Sequence, residues 1–402
     1  DLWSLCGTMN CGWSPNTPYV VVLFYKYCDI ESPDDWRLYF NQLVHKYSLL
    51  GRILLAKEGI NGTLAGSKNG IKGFVEEVSG NILFSKVDWK YSEGHGDRLP
   101  FRDVHLKVVN QIISVGSVDS VIQSHIFYDE NSFGGLGGVG HHLSADEFHD
   151  ALSDKSGIVL DIRNDFEYNI GHFEGARSVN TDTYANTWDS LDKLIDGDGG
   201  EEEVKDRKIF MYCTGGIRCE KASAYLLAKG CKNVYQLQGG IHRYLEQFPD
   251  GGKFVGKNYV FDARYSIPAK TSGEYLDSGM EEIVGRCFYC NSPHDSYRPD
   301  TTCTVCNAQL LVCPECIATN PVCGEYHCRT HWHLRSMYFT SLEPFSARDL
   351  KQQAQDLNLL LNSLEGKNQK NRRRTLRKQI QRVENRLEEL EVLMSDNESE
   401  SV

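Results

Sequence analysis

The chain has 402 residues, 40% hydrophobic and 24% charged, which are the proportions of an ordinary globular protein with room for two or three cores. A net charge of −12 excludes a uniformly basic surface made for nucleic acid, and no apolar run reaches the length that spans a bilayer. Of the 14 cysteines, those from Cys287 to Cys328 cluster in CxxC pairs, which reads as metal binding in a reducing compartment rather than as a secreted disulfide scaffold. The first residue is Asp1 rather than Met, which reads as a fragment or processed form. A cytoplasmic location is expected, with an organelle left open.

Residues 1–17 read as an N-terminal extension. Residues 18–130 read as a small α/β domain. "YVVVLFYKY" (19–27) is a strand by its β-branched and aromatic content. "SPDDWRLYFNQLVHKY" opens with Ser32 as a cap and Pro33 at the first helical position. "GRILLAKEGINGTLAG" (51–66) reads as two strands joined by a turn containing Gly and Asn. "GIKGFVEEV" gives a second helix, and "HLKVVNQIISVG" (105–116) a further strand. That order predicts a ferredoxin-like, or acylphosphatase-like, β-α-β-β-α-β sandwich. The following 131–141, with "GGLGGVG", reads as a flexible linker. A phosphate-cradling loop is the alternative, but no strand-loop-helix context surrounds it.

Residues 142–250 alternate strand and helix: "LSADEFHDAL" a capped helix, "GIVLDIR" and "KIFMYC" buried strands, "CEKASAYLLAKG" a helix, "NVYQLQGG" a last strand. The alternation predicts a parallel sheet covered by helices on both faces. A connector (251–284), a cysteine-rich module (285–333) and two helical stretches (345–394) complete the ordered chain, and 395–402 reads as a disordered acidic tail. In the helical stretches Leu350, Ala354, Leu357, Leu361 and Leu364 share one seam, and Leu376, Ile380, Val383, Leu387, Leu390 and Met394 another. Either a helical hairpin or a coiled coil fits, the latter able to mediate self-association or to hold a protein partner.

"MYCTGGIRCEKAS" (211–223) is the segment with the most chemistry. "KIFMYC" brings the chain to the carboxyl end of a parallel strand, where ligands bind in open α/β sheets. "TGGIR" then turns into a helix, and its glycines let successive amides point inward as an anion-holding nest. A thiol at that focus becomes a thiolate near neutral pH, and Arg218 adds a positive charge. Cys213 is therefore the candidate nucleophile, with a buried strand-end thiol as the alternative. Cys219 is either a resolving thiol or packing beneath the loop.

"CTGGIR" resembles the active-site loop of the rhodanese family, and "LDIRNDFEYNIGHFEGARSVN" (160–180) resembles its other signature. Asp161, Arg163, Glu167, Gly171, His172, Gly175, Ala176 and Asn180 sit where rhodanese domains place theirs, and the resemblance gives Asp161, Arg163 and His172 mainly structural roles. The related thiol phosphatases place five residues between cysteine and arginine; here there are four, which suits a sulfur-sized guest. His172 and Glu174 could open a non-haem iron site, but no second histidine completes it.

"GRILLAKEGINGTLAG", "MYCTGGIRCEKASAYL", "GKNYVFDARY" (256–265) and the cysteine-rich end together resemble the rhodanese-like tRNA uridine hydroxylases over roughly residues 19–332. The resemblance implies oxygen-dependent 5-hydroxylation of the wobble uridine in tRNA, with Cys213 the required cysteine, Thr214, Gly215, Gly216, Ile217 and Arg218 its cradle, and the anticodon region of tRNA the partner. A single lysine in "HLKVVNQII", a glycine-rich 117–140 and the helical tail depart from the family's pattern and mark a eukaryotic-type member. No flavin, haem or nucleotide motif is present, so an oxygen step does not follow from the residues. A thiolate adding at C6 of the uracil would make C5 nucleophilic. The alternative activities are sulfur transfer from thiosulfate or a persulfide, and a non-catalytic zinc-stapled binding protein.

"CFYC", "CTVC" and "CPEC" give Cys287, Cys290, Cys303, Cys306, Cys313 and Cys316, followed by Cys323, Cys328 and His331. Eight cysteines and a histidine suit two structural zinc ions, their pairing sequential or cross-braced. The basic run 367–382 either touches RNA phosphates or is a solvated helix face. Phe24, Tyr25, Tyr27 and Trp36 either stack on bases or form core.

Overall fold

The computed structural model describes residues 18–94, 100–154, 157–196, 204–269, 283–320, 322, 324–364 and 370–399. The expected extension, 1–17, lies outside them, as does Cys323. The chain forms two compact units, Asp1–Gly285 and Arg286–Val402.

The first unit opens with β1 (Tyr19–Tyr27), α1 (Pro33–Lys46), β2 (Leu50–Ala56), β3 (Gly59–Gly66), α2 (Lys68–Ser79), β4 (Lys90–Gly94) and β5 (Val104–Val108). The sheet order is β4-β1-β3-β2-β5, so the ferredoxin-like arrangement is present with one extra strand. That fifth strand runs parallel to β2 at the edge and is the segment expected to close the sandwich. The closing strand is instead β4, "KYSEG", antiparallel to β1. Its polar composition hid it, because only Lys90 and Gly94 of its five residues are buried. The β2–β3 turn is Lys57–Glu58, whereas Asn61 and Gly62 lie inside β3, opposite Tyr25 and Phe24. Gly62 serves close approach, since a Cβ there would lie 2.5 Å from the Phe24 ring. Phe24, Phe40, Phe74, Phe84 and Trp89 fill the core, and Tyr25 and Tyr27 are buried too. Those aromatics are core rather than a base-stacking face, and Trp36 packs edge-on against Phe84.

After a short helix α3 (Asp119–Gln123), β6 (Phe127–Tyr128) pairs with β7 (Leu136–Gly137). The glycine run is therefore packed rather than a flexible linker. A Cβ at Gly135 would lie 2.0 Å from the Tyr27 carbonyl oxygen, and the Gly140 amide donates to Ser223 Oγ at 2.9 Å. These glycines remove side chains where two backbones touch.

The parallel sheet has the order β11-β9-β12-β13-β8, with β8 (His141–Leu143), β9 (Ile158–Asp161), β11 (Arg177–Ser178), β12 (Lys208–Tyr212) and β13 (Asn233–Leu237). On β12 the alternation of side chains sends Ile209 and Met211 into one core and Phe210 and Tyr212 into the other. The covering helices are α4 (Ala145–Ala151), α5 (Asp165–Tyr168), α6 (Thr187–Asp196), α7 (Ile217–Ala228) and α8 (Gly240–Gln247). A capping box at Ser144 and Glu147 starts α4. Within the expected connector, β14 (Phe254–Tyr259) pairs with β10 (Gly171–Phe173) and with β15 (Ser266–Pro268).

The second unit holds the three CxxC pairs, the last of them at the start of a short helix α9 (Pro314–Ala318), and a hairpin of α10 (Ala347–Ser363) and α11 (Lys370–Ser399). The first two CxxC pairs, at 287–290 and 303–306, close the same way. Asn291 and Asn307 take positive φ, and their amides return to the carbonyls of Cys287 and Cys303. Lys351 pairs with Glu391, and Leu350, Leu357 and Leu364 pack with Leu376, Ile380 and Val383, so the helices are antiparallel and the apolar seam is spent inside the hairpin. Helix α11 continues through 395–399, expected to be disordered, because no glycine or proline interrupts it. In the basic run, Arg382 is tied to the carbonyl oxygens of Phe339 and Thr340. No helix among the described residues is long and apolar enough to cross a membrane.

Candidate thiol site and candidate metal sites

Cys213 sits one residue past β12, and Gly216, with φ +101°, starts α7. The loop is pinned from below by α8: the amides of Ile241 and His242 donate to the carbonyl oxygens of Cys213 and Thr214 at 3.0 and 3.2 Å. That approach needs the "GG" of "QLQGG", since a Cβ on Gly240 would lie 2.5 Å from the Cys213 carbonyl oxygen. The Gly216 amide donates to Cys213 Sγ at 3.1 Å. Burial pushes the thiol up, but an S–H bond from Cys219, the Arg218 guanidinium and the amides of Arg218 and Gly216 outweigh it and bring Cys213 down to about 5. Cys219 moves the other way, raised by burial and by the thiolate it serves.

Arg218 does not point its charge at the sulfur alone. It forms a bidentate pair with Glu167 at 2.6 and 2.8 Å, and Thr214 Oγ1 donates to Glu167 at 3.0 Å. Burial alone would raise the Glu167 carboxyl, but Arg218 holds it below its usual range. Asp161 and Arg163 form a second buried pair, and Arg163 also donates to the Gly171 carbonyl oxygen, bracing the sheet beneath the site. His172 is stacked on Tyr168, with Nδ1 3.0 Å from the Tyr168 carbonyl oxygen, a structural position.

Cys213 is covered as well as cradled, and is 0% exposed. The roof comes from the N-terminal sheet. A Cβ at Gly215 would meet Leu23 at 2.7 Å and the Lys90 stem at 3.9 Å, and one at Gly216 would meet the Tyr25 hydroxyl at 2.9 Å. Two charged residues of "RCEKAS" fasten this roof. Glu220 accepts from Tyr25 at 2.9 Å and from Gln236 at 3.1 Å and lies 3.0 Å from His142 Nε2, while Lys221 donates to both Glu58 oxygens at 2.8 and 2.9 Å. Nothing in the local pattern of β4 announced Lys90, which is fully buried here. Glu220 and Lys221 did carry a signal: they lie on a helix apolar enough to be buried on every side, so both needed partners.

In the second unit eight side chains form two groups that could each hold a metal ion: Cys287, Cys290, Cys313 and Cys316; and Cys303, Cys306, Cys328 and His331. Within each group the donor atoms lie within 4.8 Å of one another. Separations include 3.5 Å between Cys290 and Cys313 Sγ and 3.3 Å between Cys328 Sγ and His331 Nδ1. The groups interleave along the chain, which is the cross-braced pairing.

Three family models match the chain in order: UPF0176 acylphosphatase like domain over residues 19–112, Rhodanese-like domain over 144–247, and Rhodanase C-terminal over 255–329. The chain is 32% identical over 319 residues to the tRNA uridine(34) hydroxylase of Bacillus cytotoxicus, covering 78% of this chain and 89% of that protein. It is 36% identical over 304 residues to the tRNA uridine(34) hydroxylase of an Arthrobacter species, covering 74% and 94%. The chain belongs to the tRNA uridine(34) hydroxylase family. It is also 33% identical to Rhodanese-like domain-containing protein 6 of Arabidopsis thaliana over 347 residues, or 81% of this chain, and spans 56% of that protein's length. Seven of the eight candidate metal ligands fall inside the Rhodanase C-terminal match, with His331 just beyond it. In this member of the tRNA uridine(34) hydroxylase family the hairpin of α10 and α11 lies wholly outside the three matched regions.

Proposed function

We propose that this member of the tRNA uridine(34) hydroxylase family performs oxygen-dependent 5-hydroxylation of the tRNA wobble uridine, with Cys213 as the nucleophile. The observation that carries the reading is a buried sulfur held as a thiolate by the Gly216 amide, the Cys219 thiol and the Arg218 charge. Thr214 to Arg218 form its cradle, and Glu167 positions Arg218. The uracil ring reaches the sulfur by entering between the loop and the strands β1 and β4, displacing side chains such as Leu23 from Gly215. In the first step the sulfur lone pair forms the S–C6 bond, and the C5=C6 π pair moves toward C5 and the O4 carbonyl. The resulting enolate makes C5 the nucleophile toward dioxygen and forms a C5 hydroperoxide. Two electrons from a thiol reductant then cleave its O–O bond to a C5 hydroxyl and water, and loss of the C5 proton with the S–C6 bond restores the ring double bond and the Cys213 thiolate.

Mass spectrometry of nucleosides from unmodified tRNA incubated with the protein in air and a thiol reductant tests this. 5-Hydroxyuridine at the wobble position is expected with the wild type and not with Cys213→Ser, and a tRNA adduct should be trapped through Cys213. Absence of product from wild type together with thiosulfate:cyanide activity would replace hydroxylation by sulfur transfer.

We infer that each cysteine cluster holds one structural zinc ion. Thiolate and imidazole donors suit zinc, and a tetrahedron with Zn–S bonds of about 2.3 Å has edges of about 3.8 Å, close to the observed separations. Bound metal in the purified protein, measured by emission spectrometry, should be two zinc ions per chain.

A further inference from the structure

Lys90 is a fully buried ammonium that the fold alone does not call for. It is paired with Asp88 at 2.6 Å, and Asp88 is also claimed by Arg243. The second carboxylate near Arg243, Glu246, lies at the solvent edge. Two cations thus share one sheltered carboxylate. The Lys90 ammonium lies 5.0 Å from the Tyr25 ring centroid, and its stem packs against Gly215 of the cysteine loop. Arg218 and Cys219 from α7 act most strongly on Cys213, while Lys90 from β4, Tyr25 and Tyr27 from β1, and Tyr184 each feel its charge; Lys90 is itself faced by Asp88 and by Arg243 and His242 of α8. Of the cations acting on or feeling the sulfur, Arg218 is matched by its own bidentate carboxylate, Glu167, whereas Lys90 shares Asp88 with Arg243. Burying an ammonium is costly, so its retention beside a thiolate points to use of the charge there.

We propose that Lys90, carried by the N-terminal domain, is part of the reacting site: its ammonium supports the Cys213 thiolate and then donates a hydrogen bond to the O4 oxygen of the bound uracil as the sulfur adds at C6. The step is balanced. The thiolate's negative charge leaves sulfur as the S–C6 bond forms and arrives on O4, and Lys90 stays an ammonium throughout. The proposal requires the ring to enter between the loop and β4, where the Lys90 stem packs on Gly215 two residues from the sulfur. The identity of the substrate rests on the uridine reading; the effect on the thiolate does not.

The test compares Lys90→Met with Lys90→Arg in the full chain. Removing the ammonium leaves Asp88 Oδ1 bonded to Arg243, so the carboxylate keeps a counter-ion although Oδ2 loses its partner. Two quantities are read: the pH midpoint of Cys213 alkylation, followed on its own peptide by mass spectrometry, and single-turnover formation of 5-hydroxyuridine. Lys90→Met should raise the midpoint by about one pH unit and slow the turnover by at least ~10-fold at saturating tRNA, and Lys90→Arg should recover much of both. An unchanged midpoint and an unchanged rate in Lys90→Met overturn the proposal. Loss of the folded state in both Lys90→Met and Lys90→Gln also overturns it, by assigning Lys90 to the joint between the two sheets. A midpoint that follows Lys90 in a wild type that makes no 5-hydroxyuridine defeats the uridine reading and leaves the thiolate role standing.

Discussion

Two regions of this chain gather sulfur for opposite ends. At the cysteine loop one thiol is turned into an anion by amides, a guanidinium and a single neighbouring thiol, Cys219, that stays protonated. In the second unit thiols come four donors at a time, each group completed by a second knuckle or by a cysteine and a histidine. A lone stabilised thiolate keeps a free electron pair for a substrate. A tetrad spends all its pairs on one ion and becomes a staple. The contrast teaches that local sequence context separates the two: a CxxC repeated with another pair builds a donor set that could hold an ion, while a cysteine followed by glycines and a helix start builds a site that stabilises a single thiolate.

The largest effect should come from breaking the tetrads. Chelation, or Cys303→Ser, should unfold the knuckle segment, because structural zinc contributes on the order of 10 kcal/mol to such modules. Metal content should fall from two ions toward none or one, while the alkylation midpoint of Cys213 stays where it was. Next, Cys213→Ser should lower 5-hydroxyuridine formation at least ~10³-fold without changing metal content, measured on nucleosides and by metal analysis. In the wild type the alkylation rate of Cys213 should be flat above neutrality and fall as pH drops through about 5. The sign follows from a folded value below the unfolded one: the thiolate's contribution to stability is complete above the ordinary thiol range and is lost as pH falls toward about 5. Arg218→Met leaves Glu167 buried without its partner and should cost about 3–5 kcal/mol in denaturant melts. Smallest, Gly240→Ala puts a methyl group against the loop at φ +67° and should cost about 1–3 kcal/mol, with slower Cys213 alkylation as the specific sign that the nest has shifted.

Much of this contrast was legible beforehand, and the exceptions share a cause. The helix starts at Pro33 and Ser144, the buried strand ending at Tyr212, and the knuckles all follow from neighbours in the chain. The strand β4 did not, because its register comes from β1 and its polar residues give no alternation to read. The glycines of 134–140 looked like slack, yet Gly135 is needed by a backbone more than a hundred positions earlier, at Tyr27, and Gly140 by Ser223 and Val234 far later in the chain. The closure over Cys213 was hidden for the same reason: Leu23, Tyr25 and Lys90 come from a different domain, and only the buried charges of Glu220 and Lys221 hinted that something must cover that helix.

The interleaving of the two cysteine groups also changes what a break in the chain would mean. With both ions bound, a protease nick anywhere between Cys306 and Cys313 leaves one flank holding Cys287, Cys290, Cys303 and Cys306 and the other holding Cys313, Cys316, Cys328 and His331. Each ion then bridges the gap, so the severed ends remain moored at two points and part only when the metal is taken away.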